Sequence, residues 1–331
     1  MLIRTKSFAR AGLLGNPSDG YFGKTVSFAF SNFAADLVMY ETPELGFVPA
    51  AEDDATFASP DELLKDIHLF GYYGGIRLLK ATAKLFFLHC RDKGLNLPQK
   101  NFTVRYTSNI PRLVGLSGSS AICTAMLKAL QKFYGVEVPL EDAPTLCLQA
   151  ERDELGIQCG LQDRVIQMYE GCVFMDFNKE LVESTGHGRY ERLDPSLLPN
   201  LYIAYDPNRA EISGTYHKKL RVLFEEKKPD IIAAMSEFAD IAQQGRDALV
   251  SRRPELLPSL INANFDLRDR IFNVAEANRR MVLTARTAGA SAKFAGSGGA
   301  IVGTYEDDAQ FKQLERTLAS IGCTTIKPIV A

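Results

Sequence analysis

The sequence predicts an α+β fold of two domains, and three observations carry that prediction. A strand, a glycine-rich turn and an amphipathic helix follow one another over residues 102–134. Beyond residue 200, long helical periods alternate with short strands. Between these regions lies GHGRYERLDPSLLPN, residues 186–200, a polar stretch with two prolines that reads as a crossover. With 331 residues, 46% of them hydrophobic, the chain can bury two cores, and we divide it into residues 1–195 and 196–331.

Taken in order, residues 24–40 alternate as a strand pair or one long bent strand. Residues 47–60, with Pro49 and Pro60, form an irregular connection. A helix over 75–90 places Ile76, Leu79, Ala83, Phe86, Phe87 and Cys90 on one face and stops at Gly94. In FTVRYTSNIP, Phe102, Val104 and Tyr106 alternate with polar residues until Pro111 ends the strand. The next helix opens near Ala121, repeats apolar residues at Ile122, Ala125 or Met126, Ala129 or Leu130 and Phe133, and is capped by Gly135. Asp142 and Pro144 introduce a helix from Leu146 to Leu155 that ends at Gly156, and VFMDF, 173–177, is a strand. After the crossover come the strand LYIAYDP and helices near 214–226, 229–249, 254–274 and 275–288. Two strands joined by a glycine loop occupy 291–306; a helix near 307–321 and the strand TTIKPIV follow.

A formal charge of −2 provides no field for nucleic acid, and Lys and Arg are dispersed. No run of about 18 apolar residues is present, nor an N-terminal apolar leader, so a soluble cytoplasmic protein with no membrane partner is expected. Six cysteines, none in C-x-x-C spacing, read as reduced thiols. Cys123, at the start of the second helix, reads either as a thiol of lowered pKa or as a small buried side chain. Four histidines lack metal-ligand spacing; His187 and His217 remain candidates for polar contacts only.

The stretch PRLVGLSGSSAICTAMLKAL, 111–130, has the composition of an anion site. Small residues from Gly115 to Ser120 let the backbone approach a phosphate, and the helix that follows offers unpaired N–H groups and a positive dipole end. The plainer reading is a flexible loop before an N-cap serine. Three familiar motifs do not fit. Gly23-Lys24-Thr25 has Ser18 where a P-loop needs glycine, and it leads into a strand. No G-x-G-x-x-G occurs between 115 and 120. Around Ser117 the flanking pair is Gly115 and Ser119, where a nucleophile elbow requires two glycines. Phosphoryl transfer needs a cradle, a divalent metal, an acceptor-orienting group and positive charge, and the chain has a candidate for each. Ser120 has a hydroxyl for Mg²⁺, Glu151 sits in AERDELG, and Asp163 follows twelve residues later in GLQDR.

ARAGLLGNPSDGYFGK, P-x-x-x-G-L-S-G-S-S-A, AERDELGIQCGLQDR and KFAGSGGAIV, in that order, resemble the GHMP small-molecule kinases, and within them the glucuronokinases. GYYGGIRLL and NFDLRDR extend the likeness over nearly the whole chain. The resemblance implies an N-terminal domain like ribosomal protein S5 domain 2, with a left-handed βαβ unit, and a ferredoxin-like C-terminal domain. It further implies ATP and Mg²⁺. ATP phosphates would lie against Pro111, Gly115, Leu116, Ser117, Gly118, Ser119, Ser120 and Ala121. Ser120 and Glu151 would hold the metal, and Asp163 would be the base or hydroxyl-orienting carboxylate. Arg10 would stand beside Asp163 and the transferring phosphate, and Gly296, Ser297, Gly298 and Gly299 would close the site between the domains.

Two departures bear on these assignments. The central loop reads G-L-S-G-S-S-A where many members have G-L-G-S-S-A, so the phosphate register can shift by one and Ser119 competes with Ser120 for the metal. Gly15-Asn16-Pro17 stands where several relatives carry Gly-Glu-His. Asp19 is the candidate acceptor for sugar hydroxyls, Lys24 and Arg268 are candidates to pair a uronate carboxylate, and Tyr21 is a sugar-contacting aromatic. Tyr72 and Tyr73 are candidates for the adenine border. The expected reaction is phosphorylation of the anomeric hydroxyl of D-glucuronate by ATP, giving glucuronate 1-phosphate and ADP. The alternatives are a kinase for another sugar (galacturonate, galactose or a heptose phosphate) and a silent nucleotide- or sugar-binding relative.

Overall fold

A long antiparallel strand pair organises the molecule: β1 (Leu2–Leu14) runs against β2 (Lys24–Thr42) over almost its whole length. The computed structural model describes residues 1–50, 53, 59–60, 74–207, 220–272 and 274–331. β2 is one strand, bent where its register slips: Phe8 pairs with Ala34, but Ala9 pairs with Phe30. The bend lets the two halves of β2 take different partners on the other edge. Its second half pairs with β4 (Asn101–Ser108), which β3 (Gly46–Val48) joins in parallel, with the helix α1 (Gly75–Asp92) between them in sequence. Its first half pairs with β5 (Cys172–Asp176), flanked by β6 (Arg189–Leu193).

Helix α2 (Gly118–Tyr134) lies on β1 and β2 and is buried along most of its length, with Gly135 as a left-handed cap. It opens at Gly118, three residues before the sequence-based start, because Ser117 takes a left-handed conformation, φ 65°, as its N-cap. The segment expected as one helix to Leu155 is α3 (Ala143–Gln149) followed by a wider π-turn, Ala150–Glu154. α4 (Gln162–Tyr169) and α5 (Lys179–Thr185) complete this half. The polar stretch 186–200 is only in part a connection, since β6 occupies its middle.

The second sheet has the order β10-β7-β9-β8, all antiparallel: β7 (Leu201–Tyr205), β8 (Lys293–Phe294), β9 (Ala300–Thr304) and β10 (Thr324–Ile326). That order is the ferredoxin-like one that the resemblance implies. α6 (Pro229–Val250), α7 (Leu257–Ile271) and α8 (Glu276–Thr287) separate β7 from β8, and α9 (Asp308–Ala319) separates β9 from β10. α6 packs against β2 and α7 against β1, so the two halves share an apolar contact. After β10 the chain returns to the first sheet: Val330 bridges Phe30 and Ala331 donates its N–H to the Ala29 carbonyl at 3.0 Å, at the bend of β2. No helix among the described residues is long and apolar enough to cross a membrane.

Under α1 and α2, Phe102 is fully buried and meets Phe47, Phe133 and Tyr134 edge-on. Phe102→Ala should lower the unfolding free energy by about 3–5 kcal/mol, through lost transfer energy and the cavity it leaves. Urea denaturation followed by fluorescence or circular dichroism measures it; a loss below about 1 kcal/mol would mean that this ring does not anchor the helices.

Candidate active site

A cleft opens where the N-terminus of α2 faces the loop between β8 and β9, and its walls bring together segments far apart in sequence. Arg10 on β1 is the link. Its Nε donates to Asp163 Oδ1 at 2.6 Å, and its Nη1 donates to the carbonyls of Gly115 at 2.6 Å and Ala295 at 3.0 Å. Nη2 makes no hydrogen bond among the described residues. Asp163, in the first turn of α4, receives a second bond on Oδ2 from the Ser117 hydroxyl at 2.7 Å. Ser117 is the extra residue relative to the G-L-G-S-S-A form of the loop. Its backbone carbonyl in turn accepts from Gln167 Nε2 at 2.9 Å, which fixes the strained turn.

Burial would raise the Asp163 carboxyl's pKa, but Arg10, Arg164 and the two hydrogen bonds outweigh it and hold it well below the usual carboxylate range. Asp163 is therefore ionised at every working pH. Asp19 is the opposite case. Burial, and then the Asp163 charge, push it up to about 7, against weaker help from a Gln162 backbone bond, Arg10 and Arg164. Two carboxyls on one cleft thus differ sharply in protonation.

Glu151 is completely buried at the π-turn. Its Oε2 accepts from Arg164 Nε at 2.8 Å and from Nη2, while Oε1 has no hydrogen-bond partner. An unpaired, fully buried carboxylate oxygen on a cleft wall is a costly arrangement that a cation would relieve. Ser119 lines the cleft beside it. Ser120 does not: it is 1% exposed and turns its hydroxyl back to the Ser117 carbonyl at 3.2 Å. With the helix opening at Gly118, Ser119 is the serine that lines the cleft and Ser120 the one that lies beneath it. Among the described residues no cluster of three or more His, Cys, Asp or Glu could hold a metal ion.

Pro111, Gly115, Leu116, Ser117, Gly118 and Ser119 face the cleft, whereas Ala121 is buried in the helix core. Gly115, φ 76°, packs so closely on the loop after β8 that a side chain would strike the Gly298 carbonyl at 2.7 Å; a Cβ on Gly296 would strike the Gly115 carbonyl. Gly296 and Ser297 line the cleft, while Gly298 and Gly299 stand behind them against Val114 and Gly115.

The cations proposed for a uronate are engaged elsewhere. Lys24 does not line the cleft; its Nζ bonds Gln243 at 2.9 Å and lies 3.8 Å from Asp176. Arg268 reaches the cleft but spends Nη1 and Nη2 on the Gly296 and Ser297 carbonyls, at 2.9 and 2.6 Å, and stacks over Phe294. Tyr21 packs on Phe224 with ring centroids 4.8 Å apart, on a side lobe of the cleft. Cys123 is fully buried, and burial, then Glu151, push its thiol well up, so the reading as a low-pKa thiol falls. His187 is tied to the Gly188 carbonyl at 2.9 Å near Tyr190. Tyr72, Tyr73 and His217 lie outside the described residues.

Lys293 opens the KFAGSGGAIV motif without a role assigned to it from sequence, and it stands behind the cleft rather than on its wall. Only 1% exposed, it donates to the Gly12 carbonyl at 2.5 Å, Asn16 Oδ1 at 2.6 Å and the Phe294 carbonyl at 2.8 Å, and so clamps β8 to the end of β1 and the loop after it. Asn264 on α7 holds the same loop, accepting from the Gly15 N–H at 2.7 Å.

Residues 77–171 match the family model described as GHMP kinases N terminal domain. Glucuronokinase 1 of Arabidopsis thaliana is 43% identical over 99% of this chain and 91% of that protein; probable glucuronokinase 2 of the same plant is 44% identical over 96% and 88%. The chain belongs to the GHMP kinase family. It is an ATP-dependent kinase. The crystal structure of Lactococcus lactis galactokinase complexed with galactose superposes on this kinase with a TM-score of 0.77, covering 99% of this chain and 93% of that one at 13% identity, and so shares the two-domain α+β fold.

The raised pKa of Asp19 makes a stability prediction. A folded-state value of about 7, above the unfolded value of about 3.9, favours the native state at low pH, and this contribution is lost as pH rises from about 4 through 7. Asp19→Asn should therefore raise the thermal midpoint relative to wild type at pH 8 and leave the difference small at pH 4. A midpoint difference that does not change with pH would mean that Asp19 does not titrate as described.

Proposed function

We propose that this kinase transfers the γ-phosphoryl group of ATP to the anomeric hydroxyl of D-glucuronate, giving glucuronate 1-phosphate and ADP. The observation that carries the reading is the ionised Asp163 carboxylate held by Arg10 and Ser117 at the mouth of α2, together with the near full-length likeness to proteins named glucuronokinases. The first N–H groups of α2 have no partner within the helix and face the cleft beside Gly118 and Ser119, a natural seat for phosphate oxygens. Arg10 Nη2 supplies positive charge where the transferring group would pass, and Asp163 accepts a hydrogen bond from the attacking hydroxyl and aims it. With its pKa so low, Asp163 is a weak proton sink. Its contribution is orientation and charge, in keeping with a loose phosphoryl-transfer transition state that needs little base. Glu151 Oε1 and the Ser119 hydroxyl would hold Mg²⁺, which when bound neutralises phosphate charge. Asp19, on the wall next to Asp163, takes hydroxyls of the sugar ring.

ADP release in the presence of Mg²⁺ and ATP across glucuronate, galacturonate, glucose and galactose, with the product read by phosphorus NMR, tests the reaction. Selective turnover of glucuronate at C1 is expected; a neutral sugar preferred over both uronates would overturn the substrate. Asp163→Asn should lower kcat by about 10²–10⁴-fold while leaving the KM for ATP within a few fold, and an unchanged rate would remove Asp163 from the mechanism. Ser119→Ala should raise the Mg²⁺ concentration needed for half-maximal rate more than Ser120→Ala does. The reverse order would restore Ser120 as the ligand.

A further inference from the structure

The cleft has a side lobe, and the cation on that lobe is not one that any motif contains. Pro17, Asp19, Gln158, Cys159 and Gly160 line both the main cleft and the lobe, so the two are continuous around Asp19. Arg10, Arg112, Arg164, Arg268 and Arg221 are the basic side chains on these walls among the described residues. Arg10 and Arg164 are bound to Asp163 and Glu151, and Arg268 holds the loop carbonyls of Gly296 and Ser297. Arg112 adjoins Pro111 on the phosphate-loop wall of the main cleft, away from the lobe.

Arg221 differs in position and in commitment. It lines the lobe together with Asp19 and Gly160, its side chain is 43% exposed, and among the described residues its ion pair is to Glu225, one turn along, at 4.0 Å. Its backbone is nevertheless held: the neighbouring Leu220 is 1% exposed, and Phe224 packs on Tyr21 of the segment carrying Asp19. A solvated guanidinium on an anchored stretch reaches a carboxylate with little rearrangement and matches it as a fork.

Resting on the function proposed above, we propose that Arg221 is the specificity-determining residue that takes the carboxylate of the acidic sugar. The anomeric hydroxyl points at Asp163, the ring hydroxyls meet Asp19, and the C6 carboxylate enters the side lobe. This accounts for a uronate site in which Lys24 and Arg268 are otherwise engaged. It also assigns the lobe a ligand chemistry, an anionic substituent on a polyhydroxylated ring.

The test compares wild type with Arg221→Met and Arg221→Lys, using glucuronate and its uncharged amide, glucuronamide, read as an alternative substrate or as a competitive inhibitor. Arg221→Met should raise the KM for glucuronate about 10- to 100-fold, leave the KM for ATP and the affinity for glucuronamide within about two-fold, and be partly rescued in Arg221→Lys. Equal losses for glucuronate and glucuronamide, or a KM for glucuronate that does not move, overturn the assignment. If wild type turns over glucuronate and Arg221→Met is indifferent, Arg221 alone is wrong; if wild type does not turn over glucuronate, the function proposed above falls and the Arg221 assignment with it.

Discussion

One buried guanidinium is the constraint around which the cleft is built. Arg10 leaves the middle of β1 and reaches a carboxylate on α4, a carbonyl in the phosphate loop and a carbonyl in the loop after β8. Its side chain is 6% exposed, so each bond is made in a medium where an unpaired charge is costly. Rotating or withdrawing any of the three partners leaves that charge short of an acceptor. The three motifs are therefore coupled through one side chain, and both halves of the molecule depend on it. Lys293 repeats the arrangement between β8 and β1, with carbonyl and amide acceptors in place of a carboxylate.

The two arrangements divide the electrostatic work. Around Arg10 positive charge outweighs negative, which keeps Asp163 ionised, and that fixed negative charge then contributes to holding the proton on Asp19. Glu151 and Arg164 form a second, drier pair in which one carboxylate oxygen is satisfied and the other is left without a hydrogen bond. Each pair thus leaves one atom without a hydrogen bond among the described residues, Arg10 Nη2 in the first and Glu151 Oε1 in the second, and both residues line the cleft.

How much of this was legible in the residues varied with the physics that shaped each segment. α2 and its Gly135 cap were legible because a helix buried on nearly all sides repeats its apolar residues without interruption. β1 carries no such signal: its inward positions include Thr5, Ser7, Ala9 and Arg10, small or polar residues buried by strands and helices that the sequence cannot place. β6 is an exposed edge strand with charged residues, and so resembled a linker. In the cleft, spacing could propose Asp163 and Glu151 but not their partners. Lys24 looked available because its place in the first motif says nothing of Gln243, 219 positions away, and Arg221 had no motif to mark it. Ser119 and Ser120 are adjacent letters, and only the left-handed turn at Ser117 decides which of them faces the cleft.

The return of residues 329–331 to the bend of β2 has a mechanical consequence. The polypeptide passes between the two halves at the connection from β6 to β7 and again after β10, where Ala331 lies against Ala29 and Gly171. The halves are thereby joined by backbone at two places as well as by the packing of α6 and α7 on β2 and β1. Two separated attachments resist a twist that one would allow, which keeps the walls of the cleft in lateral register.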